Sequence, residues 1–304
     1  MTSAQAGPAP TASASAAEHP FITKLLARQR WAKSVVCAGL DPDKEKVRAR
    51  LPSPLGWLER ISDPSLIEGY TLWTIDEVAS IAAAIKPNAG FFRRFGSVGL
   101  AALERIIKYL QTRYPGIPII LDYKCEDIGA SAANYAEEAV FYGVDAVTVG
   151  PYFGIDSVGE FLKRGLFVFV LCRTSNPTNE VQNMVMADGR QLFLPVAEKI
   201  VEWRKTYPGC GLVVGATKAE DFPPIIAITG AAPLLIPAFG KKQGGKAEDI
   251  IPVVAPSGAK AADRLILCNV SSEAMFNPDG KPPAQAIGEF WEKANKLLPL
   301  HYCD

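Results

Sequence analysis

The chain has 304 residues, 48% of them hydrophobic, with 32 basic and 32 acidic side chains and a formal net charge of zero. That length fits one large domain or two ordinary ones with a sizeable core, and the balanced charge gives no electrostatic footprint for nucleic acid or an anionic membrane. No apolar run approaches the roughly 18 residues of a spanning helix, and six scattered cysteines without a Cys-x-x-Cys pair read as reduced thiols in the cytoplasm.

Residues 1–17 are rich in Ala, Ser and Pro and carry no charged side chain, so they are expected to form a disordered tail rather than a targeting signal. A helix is predicted over 21–31, then an apolar strand over 35–40 that ends at Asp41. A helix over about 65–80 leads to an apolar run at 81–85, ending in Lys86-Pro87-Asn88. Leu100, Leu103, Ile106, Ile107 and Leu110 fall at helical spacing and predict a helix over 97–113. A strand over 118–124 and a helix over 130–142 follow. The strand at 145–149 ends at Gly150-Pro151-Tyr152 and precedes a helix at 155–164. The strand at 166–171 runs into Arg173-Thr174-Ser175-Asn176-Pro177, with a helix at 191–206 beyond. Three more strand–helix units are read at 211–214 with 219–228, 233–236 with 247–255, and 265–268 with 284–297.

Eight short, near-continuous apolar runs, each followed by a helix, are the pattern of parallel strands buried on both faces. The expected fold is therefore α/β, a closed (β/α)8 TIM barrel of eight parallel strands. An open doubly wound sheet would want a glycine-rich fingerprint after its first strand, where this chain has Gly39-Leu40-Asp41-Pro42-Asp43. Residues 18–300 are read as a single barrel domain and 301–304 as a terminal stub.

In such a barrel the polar residues at strand C-terminal ends face a common pocket. Here these are Asp41, Lys86, Asp122 with Lys124, Thr148, Ser175, and, in or near later loops, Gln243 and Asn269. The densest stretch is Leu121-Asp122-Tyr123-Lys124-Cys125-Glu126-Asp127. On a strand Asp122 and Lys124 share a face with Ile120, and Asp127 lies just past its end. One such pair alone is adequately explained as a structural ion pair at a sheet rim; several alternating charges converging on one rim point to a site. The only histidines are His19 and His301, near the two ends, which argues against a Ser-His or Cys-His mechanism and against a histidine-rich metal centre. Lysines and aspartates alone suit delivery or removal of a proton at carbon, with charge stabilised by Lys. A Mg²⁺ ion shared by Asp122, Glu126 and Asp127 stays open on the residues alone.

The run Asp122-Tyr123-Lys124-Cys125-Glu126-Asp127-Ile128-Gly129 resembles the Asp-x-Lys-x-x-Asp signature of the orotidine 5′-monophosphate decarboxylase family, in its longer bacterial-type branch. Cys37-Ala38-Gly39-Leu40-Asp41-Pro42, Ile85-Lys86-Pro87-Asn88, Arg173-Thr174-Ser175-Asn176-Pro177, Val214-Gly215-Ala216-Thr217 and Gln243-Gly244-Gly245 agree in order and spacing, so the resemblance runs from about residue 20 to 297. It implies a homodimeric barrel with shared active sites that converts orotidine monophosphate to UMP with no metal and no organic cofactor. Lys86, Asp122, Lys124 and Asp127 match the charged tetrad. Lys124 would protonate C6, Asp122 would lie against the departing carboxylate, Lys86 would link Asp122 to ribose, and Asp127 would reach into the partner's site. The implied substrate-binding set is Asp41, Asn88, Ser131, Thr148, Ser175, Gln243, Gly244, Gly245 and Ser272. The loop from Asn176 to about Arg190, with Gln182, is a candidate lid.

Two departures stand out. Ser272 stands where the family usually has a phosphate-clamping Arg, a loss of charge-assisted bonds worth about 1.5–3 kcal/mol each; backbone N–H groups near Gly244-Gly245 and after Asn269, or Lys241, Lys242 and Lys246, are the expected substitutes. Gly150 stands where related enzymes often have Asn. The rival readings are a Mg-dependent sugar-phosphate enzyme of the same barrel family and a nucleotide-binding barrel that no longer turns its ligand over. A fusion to orotate phosphoribosyltransferase in a longer protein is also contemplated.

Overall fold

The computed structural model describes residues 19–51, 55–56, 61–240, 244–261, 263–276, 279–299 and 301–304. The Ala/Ser/Pro segment 1–17, Lys241, Lys242 and Gln243 lie outside them.

Helix α1 (Pro20–Ala32) comes first. Its start is fixed by His19, whose Nδ1 accepts the Phe21 N–H, and its end by Lys33 in the left-handed conformation. Then the chain alternates: β1 (Val36–Leu40), α2 (Lys44–Arg48), α3 (Asp63–Val78), β2 (Ala84–Pro87), α4 (Ala89–Arg93), α5 (Gly96–Arg113), β3 (Ile120–Leu121), α6 (Gly129–Tyr142), β4 (Ala146–Val149), α7 (Ile155–Lys163) and β5 (Phe167–Arg173). There follow α8 (Phe193–Arg204), β6 (Cys210–Val214), α9 (Phe222–Thr229), β7 (Leu234–Ile236), α10 (Ala247–Val254), β8 (Ile266–Val270), α11 (Ser272–Phe276) and α12 (Pro283–Leu297).

The eight strands form one parallel sheet in the order β2-β1-β8-β7-β6-β5-β4-β3. The seam between β2 and β3 is joined by the bridges Ile85↔Ile119 and Asn88↔Asp122, so the sheet closes on itself as the alternation predicts. Every strand residue is buried except the half-buried Leu171. That explains the continuous apolar runs: one face fills the lumen and the other lies under helices. On α5 the expected stripe Leu103, Ile106, Ile107 and Leu110 is buried, with Leu100 half-buried at its start.

α1 lies at the end of the barrel opposite the strand C-termini. Gln29 donates to the Ile266 carbonyl at 2.9 Å, Arg28 donates to the Ala82 carbonyl at 2.9 Å, and Lys24 pairs with Asp145 at 2.8 Å. The last residues, read as a stub, pack against this same end. Tyr302 is 2% exposed, donates its hydroxyl to the Arg264 carbonyl and accepts the Ala261 N–H at 2.9 Å.

Three expectations need correction. The run at 81–85 is not all strand, because Ile81 and Ala82 both donate back to the Val78 carbonyl and finish the turn after α3. The strand expected over 118–124 is regular only at Ile120–Leu121, because the backbone leaves the ladder to place Lys124 at a φ of +50°. Helices α2, α4 and α11 have five residues each, too short to leave a periodic signal.

Candidate active site

The centre of the strand-end rim is the Asp122 carboxylate. Asp122 follows β3 directly, held by its N–H on the Pro87 carbonyl and its carbonyl on the Ala89 N–H, at 2.9 and 3.1 Å. Its Oδ2 accepts Lys86 Nζ at 2.6 Å; its Oδ1 accepts the Thr148 hydroxyl at 2.9 Å and Lys124 Nζ. Three neighbouring strands therefore converge on one carboxylate. β4 also fixes the turn beyond it: Thr148 Oγ1 accepts the Tyr123 N–H at 3.1 Å and the Thr148 carbonyl accepts the Lys124 N–H at 2.9 Å. Asp122 and Lys124 do meet, but not by strand alternation. The left-handed backbone at Lys124, uncommon for a residue other than glycine, folds the amine back onto the carboxylate two residues before it.

Lys86 is 3% exposed and Asp122 9%, whereas the Lys124 side chain is about half exposed. Burial works against both charges of the inner pair. For Asp122 that penalty is overcome by the Lys86 and Lys124 ammonium groups, which hold its carboxyl well below the usual carboxylate range. For Lys86 burial is likewise overcome, by Asp122 and then Asp41, and the ammonium is held above the ordinary lysine value. The inner pair stays ionised, and Lys124 presents a further positive charge to the opening. Asp41 Oδ1 is shut off from solvent and has no hydrogen-bond partner, so a buried acceptor on the same rim awaits a donor.

Lys86, Asp122, Lys124 and Thr148 line a cavity of about 170 Å³ together with Thr174, Ser175 and the apolar Leu171, Val213, Leu235 and Pro237, and Asp41 is not among its lining residues. The walls from β2 to β4 are charged, and those from β5 to β7 are apolar apart from the two hydroxyls. A flat ring with an anionic edge is the kind of ligand such walls suit.

Other candidates sit around this centre. Asn88 caps α4 through the Gly90 N–H, at 3.1 Å. Ser131 is exposed in the first turn of α6. Asp127 is not among the lining residues of this cavity; its Oδ1 accepts the Ile128 N–H at 2.7 Å. Gly244 and Gly245 follow β7, but their N–H groups are already used, on the Gly240 and Ala238 carbonyls at 3.0 and 3.1 Å. Those two donors are therefore not free for a ligand in this conformation. Ser272 is half-buried and opens α11. Gln243 falls outside the described residues.

The loop after Ser175 is ordered by a local network. Gln182 accepts the Thr174 N–H at 2.9 Å and donates to its hydroxyl at 2.8 Å, and Asn179 donates to the Thr174 carbonyl at 3.0 Å. Beyond it Val185 and Gln191 pair as an antiparallel hairpin that exposes Val181, Met184, Val185 and Met186. Arg173, quoted in a matching segment but given no role from sequence, has a buried guanidinium that pairs with Asp221 at 2.6 Å and donates to Asn183 at 2.8 Å, tying this loop to the start of α9. An arginine closing an apolar strand was the available signal. Glu126 was weighed only as a metal ligand. Its carboxylate lies against Gly150, where any Cβ would collide with it, and burial raises its pKa.

Residues 34–268 match the model of the orotidine 5′-phosphate decarboxylase / HUMPS family. The chain is 38% identical over 268 residues to an orotidine 5′-phosphate decarboxylase of Janthinobacterium sp. (strain Marseille), covering 88% of this chain and 93% of that protein. It is 36% identical over 269 residues to that of Herpetosiphon aurantiacus, with the same coverage. Among solved structures, Leishmania donovani OMP decarboxylase superimposes with a TM-score of 0.74 at 31% identity, over 91% of this chain and 98% of that one. Leishmania donovani UMP synthase gives 0.74 at 32%, over 90% of this chain and 55% of the other.

Proposed function

Because the chain belongs to the orotidine 5′-phosphate decarboxylase / HUMPS family, we propose that its barrel mouth converts orotidine 5′-phosphate to UMP and CO₂. The observation that carries this is the convergence of Lys86, Lys124 and Thr148 on the single Asp122 carboxylate. In this reading the substrate carboxylate lies beside Asp122. The bond from C6 to that carboxylate breaks, its electron pair stays on C6, and the Lys124 ammonium gives C6 a proton. Half-exposed, Lys124 regains a proton from water. Lys86, ion-paired with Asp122 and buried, keeps that carboxylate ionised and still. Charges fixed in place before the reaction need no reorganisation as the carbanion develops. Leu171, Val213, Leu235 and Pro237 supply the apolar face for the pyrimidine, and Asp41 is the acceptor for a ribose hydroxyl.

Relatives named orotidine 5′-phosphate decarboxylase favour this over the sugar-phosphate reading and over a barrel without turnover. The test is the loss of substrate absorbance on adding orotidine 5′-phosphate, with EDTA present. Wild type is expected to turn over and Lys124→Ala to lose activity by at least about 10³-fold, the scale of a lost acid catalyst plus its charge. Near wild-type activity in the variant would remove Lys124 from the chemistry, and dependence on added Mg²⁺ would revive the rival reading.

We also infer that two copies share their sites. Asp127 stands outside its own chain's cavity, beside the exposed Ile128, and Glu126 joins this segment to the turn carrying exposed Tyr152 and Phe153. An apolar surface of this kind around a charged group suits a second copy. Mixing inactive Lys124→Ala chains with inactive Asp127→Ala chains is expected to restore partial activity. No recovery would mean that Asp127 acts within its own chain.

A further inference from the structure

Lys124 is held in its left-handed conformation, at a φ of +50°, from two sides. On the barrel side, the Thr148 hydroxyl oxygen accepts the Tyr123 N–H and the Thr148 carbonyl accepts the Lys124 N–H. On the outer side, the side chains flanking Lys124 enter one cluster, and neither of them lines the catalytic cavity. Tyr123, 4% exposed, packs edge-on against Tyr135 and Phe161, with ring centroids 6.3 and 6.2 Å away, and donates its hydroxyl to Glu138. Arg93 closes α4 and meets both neighbours of Lys124. Its guanidinium lies 4.7 Å from the centre of the Tyr123 ring, and its Nη1 donates to Cys125 Sγ at 2.7 Å. Its Nη2 reaches Glu138 at 3.4 Å. Helix α4 is itself tied to the rim, since the Ala89 N–H donates to the Asp122 carbonyl at 3.1 Å. A sparsely populated backbone conformation persists only where its surroundings over-determine it, and this cluster supplies the outer half of that restraint.

We propose that Arg93 is a positioning residue for the proton donor: by gripping Tyr123 and Cys125, on either side of Lys124, it keeps that ammonium directed at the carbon to be protonated. Arg93 does not line the cavity and acts only through the loop. Arginine suits the task, because a planar guanidinium stacks on a ring with its face while donating along its edge. Misplacing a reacting group by about 1 Å through a distant change costs about 10²-fold in rate. UMP needs no proton from Lys124, so its binding is insensitive to that displacement. The inference rests on the decarboxylase reading.

The test measures kcat with orotidine 5′-phosphate and, by calorimetry on the full chain, the affinity and number of UMP sites. Arg93→Met is expected to lower kcat about 10²-fold, with the UMP dissociation constant within about threefold of wild type and every site still filled, a loss confined to the reacting state. Cys125→Ala should lose about tenfold in kcat, whereas Cys125→Ser, which still offers Arg93 an acceptor, should stay within about threefold of wild type. Because the two residues share one contact, Arg93→Met/Cys125→Ala should match Arg93→Met alone within about twofold. Wild-type kcat in Arg93→Met or in Cys125→Ala overturns the proposal. So does a kcat that falls only in step with UMP affinity or with the number of UMP sites, the mark of a residue that merely supports the fold. If Arg93→Met does not fold, the Cys125 variants decide alone, and equal kcat in the alanine and serine forms refutes the proposal. Failure of the decarboxylase reading has its own signature, since wild type would then not consume orotidine 5′-phosphate.

Discussion

Replacing Lys86 by Met tests whether the inner ion pair is one unit. The substitution removes the partner of Asp122 Oδ2 at 2.6 Å and leaves a carboxylate that is 9% exposed. Removing one side of a buried pair costs about 3–5 kcal/mol, because the remaining charge stays desolvated. Asp122 Oδ1 keeps Thr148 and Lys124, which places the cost near the lower end, at ~3 kcal/mol. The double variant Lys86→Met/Asp122→Leu removes the stranded charge as well. Replacing both members of a buried pair by apolar groups is about neutral to stabilising, so what is left is the Lys124 contact, ~1 kcal/mol at most because that ammonium is half exposed, and the Thr148 bond to a carboxylate, worth about 1.5–3 kcal/mol if lost outright. Thr148 Oγ1 still accepts the Tyr123 N–H, so its loss is partial. The double variant is therefore expected to be more stable than Lys86→Met, although more has been taken away. Denaturant midpoints for wild type, both single variants and the double close the cycle. If the double variant's loss equals the sum of the single losses within ~0.5 kcal/mol, the two groups do not act as a unit and the reasoning is wrong.

The same pair sets a pH profile. Asp122 is depressed, so its contribution is complete above the ordinary aspartate value of about 3.9 and is lost as pH falls through its folded value; Lys86 is raised, so its contribution is complete below about 10.4 and is lost as pH climbs through its folded value. The stability difference between wild type and the double variant should thus be flat from about pH 5 to 10, and a slope inside that window in urea titrations would contradict it. At the other end of the barrel, Tyr302→Ala is expected to cost ~3 kcal/mol through the loss of a buried ring and its hydrogen bond; a shift in denaturant midpoint worth less than ~1 kcal/mol would show that the terminal residues merely rest on the surface.

The barrel could be read from sequence because each strand is enclosed on two faces, so its apolar run is unbroken and its first charge or glycine marks the rim. Lys86, Asp122 and Lys124 were visible for that reason. What sequence hides are contacts made by backbone shape and by distant partners. Nothing in Tyr123-Lys124-Cys125 announces a left-handed lysine, since neither glycine nor asparagine is present. Thr148 was legible only as a polar strand end; that its hydroxyl receives a backbone N–H while donating to Asp122 depends on β3 and β4 lying side by side. Arg173 and Asp221 are 48 residues apart and meet only once the sheet has closed.

Both described chain ends lie on the side away from the chemistry. His19 packs against Phe167 at the beginning of β5, and Asp304 pairs with Lys33, just ahead of β1. A reporter or a second enzyme joined directly after Asp304 would start from beneath the barrel, on the side away from the rim where substrate enters. Immobilisation through Asp304 should likewise favour molecules whose opening faces the solution.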